Sequence, residues 1–130
     1  MKKANVLLRA ISFRKSVEAA CFGIAGIRYA CTNDSSFARL VMGEFLVAVV
    51  LILLLWPISL VQIGILIPLF ALPIATELIN VAIEEVVDLV SPGFHEKAKN
   101  AKDCAAGATL IATTAWLVVS LLMVVHQYLF

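Results

Sequence analysis

Hydrophobic and polar positions separate sharply along this chain. No residue between Glu44 and Glu77 is charged, and none is charged after Asp103. Uncharged apolar runs of that length mark membrane-spanning helices, which need about 20 residues to cross the hydrocarbon. The first run is too long for one crossing at about 1.5 Å per residue. Trp-Pro-Ile-Ser at 56–59 breaks it, because Trp56 suits a membrane–water interface and Pro57 resists continuing a helix. The pattern predicts spans over about 38–56, 59–90 and 104–128. His126 and Tyr128 suit the far interface of the third. Pro68 and Pro73 fall inside the second span, where local adjustment tolerates them and a kink near Pro73 is expected. Upstream, Val6, Leu7, Ile11, Phe13 and Val17 mix with Arg9, Arg14, Lys15 and Glu18. That mixture predicts an amphipathic helix lying on the membrane surface over about 4–33. Thr32 to Ser36 reads as a turn into the first span. Ser91, Pro92, Gly93 and Phe94 end the second. The basic stretch His95 to Asp103 is then either a short loop or the first turns of the third helix. The expected fold is one all-α membrane domain over 1–130, a surface helix plus three spans.

Composition agrees. The chain is 62% hydrophobic and its mean hydropathy is +1.01, too apolar for a soluble domain of 130 residues with its large surface-to-volume ratio. The formal net charge of +1 gives no reason to expect a nucleic-acid partner. The amino terminus starts basic, but Arg9 and Arg14 interrupt its apolar run too early for a cleaved signal peptide. Cys21, Cys31 and Cys104 form no CxxC pair and no zinc spacing, so they read as reduced packing cysteines. Every lysine and arginine lies at or before the start of the first span, or between the second and third. The positive-inside rule then predicts a cytoplasmic amino terminus and a carboxy terminus outside.

One polar feature stands out against this background. Glu77, Asn80, Glu84 and Asp88 are spaced so that, at about 100° per residue, all four return to one arc of the second span. Glu85 lies off that arc. A solvated face explains Glu85 and Asp88 adequately, since emerging helices carry such charges. It fits Glu77 and Asn80 poorly. The crossing ends near residue 79, so Glu77 sits at the cytoplasmic edge of the hydrocarbon, where an ionisable group is costly and a functional candidate. Desolvation there suits a general base or a proton relay. Stacked carboxylates beside Lys97, Lys99 and Lys102 suggest a metal–phosphate site, because magnesium takes one or two carboxylates and keeps waters or phosphate oxygens. There is no GxxxxGK[ST] loop and no kinase Gly-rich loop. The residues alone lead to a metal or polyanion site facing something that lives in lipid.

The same stretch closely resembles the signature of small bacterial integral-membrane lipid kinases, the prokaryotic diacylglycerol kinases and their undecaprenol kinase relatives. The family pattern reads Glu-x-x-Asn-[Ser/Thr]-Ala-Ile-Glu-x-x-Val-Asp, then His, then Ala-Lys-Asp. Glu77, Asn80, Ala82, Ile83, Glu84, Val87, Asp88, His95, Ala101, Lys102 and Asp103 keep it at family spacing. The segment Gly26 to Arg39 looks like the family's approach to its first span. The resemblance implies transfer of the ATP γ-phosphoryl group to a lipid hydroxyl. It implies Glu77 as the catalytic carboxylate, and Glu84 and Asp34 as ligands of Mg2+, Asp34 standing where the family usually has Glu. It implies nucleotide contacts at Lys15, Phe22, Asn80, Gly93, Phe94, His95, Lys102 and Asp103. Lys15, Glu77 and Ala106 would meet the lipid substrate. It further implies a homotrimer with sites between subunits, in the bacterial inner (cytoplasmic) membrane.

Diacylglycerol is the first expected substrate, giving phosphatidic acid. Undecaprenol is the alternative within the family, since the run from Ala98 to Ala108 also reads like that branch. A small transport or proton-relay protein would need polar groups through the bilayer depth, which the uncharged halves of the first and third spans do not offer. A scaffold glued by its charged stripe leaves Lys102 and Asp103 unexplained.

Overall fold

A computed structural model describes residues 13–129, with side chains from residue 15 onward. Residues 4–12 of the expected surface helix lie outside that range. The described chain is four helices: α1 (Phe13–Asn33), α2 (Ser35–Leu54), α3 (Leu60–Val90) and α4 (Glu96–Leu129). The last three are long and apolar enough to cross a membrane.

Capping chemistry sets the helix limits. The expected turn over Thr32 to Ser36 shrinks to one residue, Asp34, between α1 and α2. Asp34 is extended at φ −112° and ψ 114°, and its carboxylate accepts from the Phe37 N–H at 2.6 Å. An Asp at this position satisfies an otherwise orphaned helix donor, so α2 starts at Ser35 rather than near 38. Ser59 opens α3 with a capping box, its hydroxyl accepting from Gln62 N while the Gln62 side chain accepts from Ser59 N. α3 runs unbroken past Pro68 and Pro73. The Thr76 hydroxyl donates to the carbonyls of Leu72 and Pro73 at 3.0 and 2.9 Å.

The basic stretch after Gly93 resolves as helix. α4 begins at Glu96 rather than near Cys104, because nothing in Lys97 to Asp103 breaks a helix. The Lys99–Asp103 pair at 2.8 Å supports it at the favourable i,i+4 spacing.

Two apolar clusters hold the bundle. Leu51, Leu55, Leu66 and Trp116 form one in the half remote from the lysines. Phe70 stacks edge-on against both Trp116 and Phe45, with ring centroids 6.0 and 5.6 Å apart. The Tyr128 hydroxyl donates to the Leu54 carbonyl at 2.9 Å, tying the end of α4 to the end of α2. Nearer the lysines, Ala30 of α1, Phe37 of α2 and Val81 of α3 form the second cluster. Large apolar side chains such as Leu46, Leu53, Ile67, Ile111 and Leu121 point outward. That arrangement is stable where lipid, not water, is the solvent.

Candidate active site

The carboxylate stripe is a bonded row. Glu77 and Asn80 are buried, each only 6% exposed, and Glu84 is half-buried. The Asn80 amide nitrogen donates to Glu77 Oε2 at 3.4 Å and to Glu84 Oε1 at 3.1 Å. One amide thus bridges two carboxylates about two helical turns apart. The long contact to Glu77 is the weaker of the two. The Asn80 carbonyl oxygen is buried and makes no hydrogen bond. An unused hard oxygen beside two carboxylates is the donor chemistry that suits magnesium. Among the described residues, no three acidic, His or Cys side chains converge as a self-sufficient metal cage.

Four residues further along α3, Asp88 accepts from Lys102 Nζ of α4 at 2.6 Å. The Ser91 hydroxyl donates to the Gly93 carbonyl at 3.3 Å and shapes the turn between the helices. His95 precedes α4, and its Nδ1 accepts from the Lys97 N–H at 3.2 Å. In the neutral ring this leaves the proton on Nε2. These contacts wall a groove of about 240 Å³ lined by Asp88, Gly93, Phe94, His95, Lys99, Lys102 and Asp103, among others. Five of the residues expected at the nucleotide therefore share one groove: Gly93, Phe94, His95, Lys102 and Asp103. Its charges are paired with each other. The Lys99–Asp103 pair is about 60% exposed on both sides, and exposed pairs of that kind contribute little to stability. An anion entering the groove would displace such pairing at little cost.

The other expected residues lie elsewhere. Lys15 and Phe22 are exposed on α1 and do not line this groove. Ala106 is exposed one turn beyond Lys102. Asp34 spends one carboxylate oxygen on the α2 cap.

Two features escaped sequence reasoning. Glu85 is more than a solvated carboxylate: its Oε1 accepts from the Tyr29 hydroxyl of α1 at 2.7 Å. That bond, reinforced by the charge of Glu85, holds the Tyr29 phenol above its ordinary value. Glu44 lies within α2, is 4% exposed, and its Oε2 makes no hydrogen bond. The one sequence signal was a lone acid inside an apolar span, which carries no spacing pattern.

Known proteins resemble this chain over most of its length. Residues 21–124 match the family model described as prokaryotic diacylglycerol kinase. A diacylglycerol kinase of Synechocystis sp. is 38% identical over 96 residues, covering 73% of this chain and 54% of that protein. The diacylglycerol kinase of Escherichia coli K12 is 31% identical over 100 residues, covering 77% and 80%. That of Pseudomonas aeruginosa is 32% identical over 101 residues, covering 78% and 80%. This chain thus spans about half the length of the cyanobacterial relative and four-fifths of the other two.

Proposed function

This chain belongs to the prokaryotic diacylglycerol kinase family, and from that premise we propose that it transfers the γ-phosphoryl group of ATP to the hydroxyl of diacylglycerol, giving phosphatidic acid. The observation that carries the reading is the Asn80-bridged row of Glu77 and Glu84 beside the groove of Gly93, His95, Lys102 and Asp103. Glu77 stands roughly 26 Å along the axis from Leu60, at about 1.5 Å per residue. A helix of that length reaches the depth where a lipid headgroup hydroxyl meets water.

The chemistry follows from these positions. Glu77 takes the proton from the lipid hydroxyl as its oxygen bonds to the γ-phosphorus, and ADP departs with the electrons of the broken P–O bond. Asn80 holds Glu77 and Glu84 in register. Phosphoryl transfer asks mainly for positioning and charge neutralisation. Lys102 leaves Asp88 for a phosphate oxygen, while Gly93, Phe94, His95 and Asp103 border the nucleotide. Mg2+, when bound, would supply neutralisation of the charge on the phosphate oxygens. Glu84, the Asn80 oxygen and Asp34 are the residues that would hold it. Lys15 and Phe22, exposed on α1 and outside that groove, are the surface-helix residues that would meet the nucleotide, and Ala106 would leave room near the lipid.

The lysine and arginine distribution supports a cytoplasmic amino terminus, with the groove on the side where ATP is found, and membership of a bacterial family supports the inner membrane as its place. Family resemblance supports a homotrimer with sites between subunits, and the buried carboxylates of α2 and α3 are the kind of group that a neighbouring subunit can complement. Undecaprenol is the second substrate reading, supported by the likeness of the run from Ala98 to Ala108 to that branch.

The test is transfer from labelled ATP with magnesium in mixed micelles, with diacylglycerol and undecaprenol compared side by side. Labelled phosphatidic acid is expected. Glu77→Gln is expected to lose turnover by more than about 100-fold, the usual weight of a general base, while still assembling. Normal turnover in that variant would sink the base assignment. Label in undecaprenol alone would replace the substrate.

A further inference from the structure

We infer that Tyr29 is a positioning residue: its hydroxyl, bonded to Glu85, holds the Asp34 junction against the carboxylate row of α3 and so sets how tightly the site grips its divalent cation and nucleotide. The inference rests on the kinase reading above.

The need for such a strut is visible in the burial of α1. Among the described residues of that helix, Ala30 alone is buried. It packs with Phe37 and Val81. Ala30 is a narrow apolar anchor between α2 and α3, and a small side chain by itself does little to stop a helix rolling about its own axis. A second contact removes this freedom. Tyr29 is next to Ala30 in sequence, and Glu85 is one turn from Val81, so the hydroxyl bond at 2.7 Å and the apolar contact form a two-point attachment of α1 to α3.

The attachment reaches Asp34 through a closed ring of contacts. The Tyr29 carbonyl accepts from Thr32 Oγ1 at 3.1 Å and from Asn33 Nδ2 at 3.0 Å. The Asp34 N–H donates to the Ala30 carbonyl at 2.9 Å. Asp34 then caps α2 through Phe37, and Phe37 returns to Val81 of α3. Rolling α1 therefore carries Asp34 with it. Glu84 is the residue before Glu85, so the bond that fixes α1 is made beside one expected ligand and constrains the placement of the other. The geometry assigns Glu85 to this strut and leaves it outside the chemistry.

The test uses the full chain in mixed micelles. Tyr29→Phe removes the hydroxyl and keeps the ring. The expected result is a rise of about two- to tenfold in the Mg2+ half-saturation and in the KM for ATP, the span that an ordinary solvent-exposed hydrogen bond gives. The limiting kcat and the KM for lipid stay within about twofold. Mn2+ binding with a non-hydrolysable ATP analogue, read by electron paramagnetic resonance without turnover, weakens by the same factor. Glu85→Ala reproduces these changes, and Glu85→Gln, whose amide oxygen still accepts, reverses most of them. The Tyr29→Phe, Glu85→Ala double variant is no worse than either single variant. Unchanged Mn2+ affinity in Tyr29→Phe overturns the inference, as do additive losses in the double variant or a fall confined to kcat. A wild-type chain that binds Mn2+ and nucleotide but phosphorylates no lipid defeats the kinase reading, while the binding comparison still decides the strut.

Discussion

Glu77 and Glu44 are both acids on apolar helices, and both are buried, yet only Glu77 could be singled out from sequence. Glu77 has Asn80 and Glu84 at helical spacing, and the structure turns that spacing into hydrogen bonds. Glu44 has no polar neighbour at three or four residues' distance on α2. Its burial depends on how α2 leans on the rest of the bundle, which local pattern does not encode. Tyr29 makes the same point for a hydroxyl. An isolated tyrosine on a surface helix carries no sign of its partner 56 positions away, and only the docking of α1 on α3 brings them together. The bond has a pH signature. A phenol donating to a carboxylate has its pKa raised, so the contact contributes fully below the ordinary tyrosine value of about 10 and is lost as pH rises through the raised one. In a Tyr128→Phe background, the remaining phenolate absorbance near 295 nm should therefore appear only above that ordinary value. Glu85→Ala should return it to the ordinary range. An unmoved titration on removing Glu85 would mean that the bond does not form in solution.

At the scale of the element, caps and seams explain where prediction and structure part. The length of the apolar runs locates the helices, but their ends depend on single side chains. Asp34 captures the Phe37 N–H and starts α2 early. The uninterrupted basic stretch lets α4 grow back to Glu96. The α3–α4 seam depends on Trp116, which is 1% exposed and stacks on Phe70. Trp116→Ala should cost about 3–5 kcal/mol, because deleting a buried indole loses its packing and leaves a cavity. Leu53→Ala is the contrast: Leu53 is 73% exposed and faces lipid, where a shorter side chain loses little. Thermal unfolding in detergent should show a clear drop in midpoint for the first and a shift within a degree or two for the second. Equal losses would mean that Leu53 is covered in the assembled protein.

At the scale of the whole molecule, one asymmetry organises everything: charge gathers at one end of the bundle and apolar packing fills the other. All three cysteines are exposed and lie toward the charged end, Cys21 and Cys31 on α1 and Cys104 early in α4. With a cytoplasmic amino terminus, a membrane-impermeant maleimide should label them in inside-out vesicles and leave right-side-out vesicles unlabelled. Label in the second preparation would reverse the topology. Sequence by itself determined the helical class, the spans and the face that carries Glu77, Asn80, Glu84 and Asp88. Each follows from short-range periodicity and from the cost of placing charge in hydrocarbon. Tertiary structure alone decided which partners those groups meet. It joined Asp88 to Lys102, gathered Gly93, Phe94, His95, Lys102 and Asp103 around one groove, and set Tyr29 against Glu85. Contacts between helices depend on how each one rolls and leans, and many distant side chains settle that together.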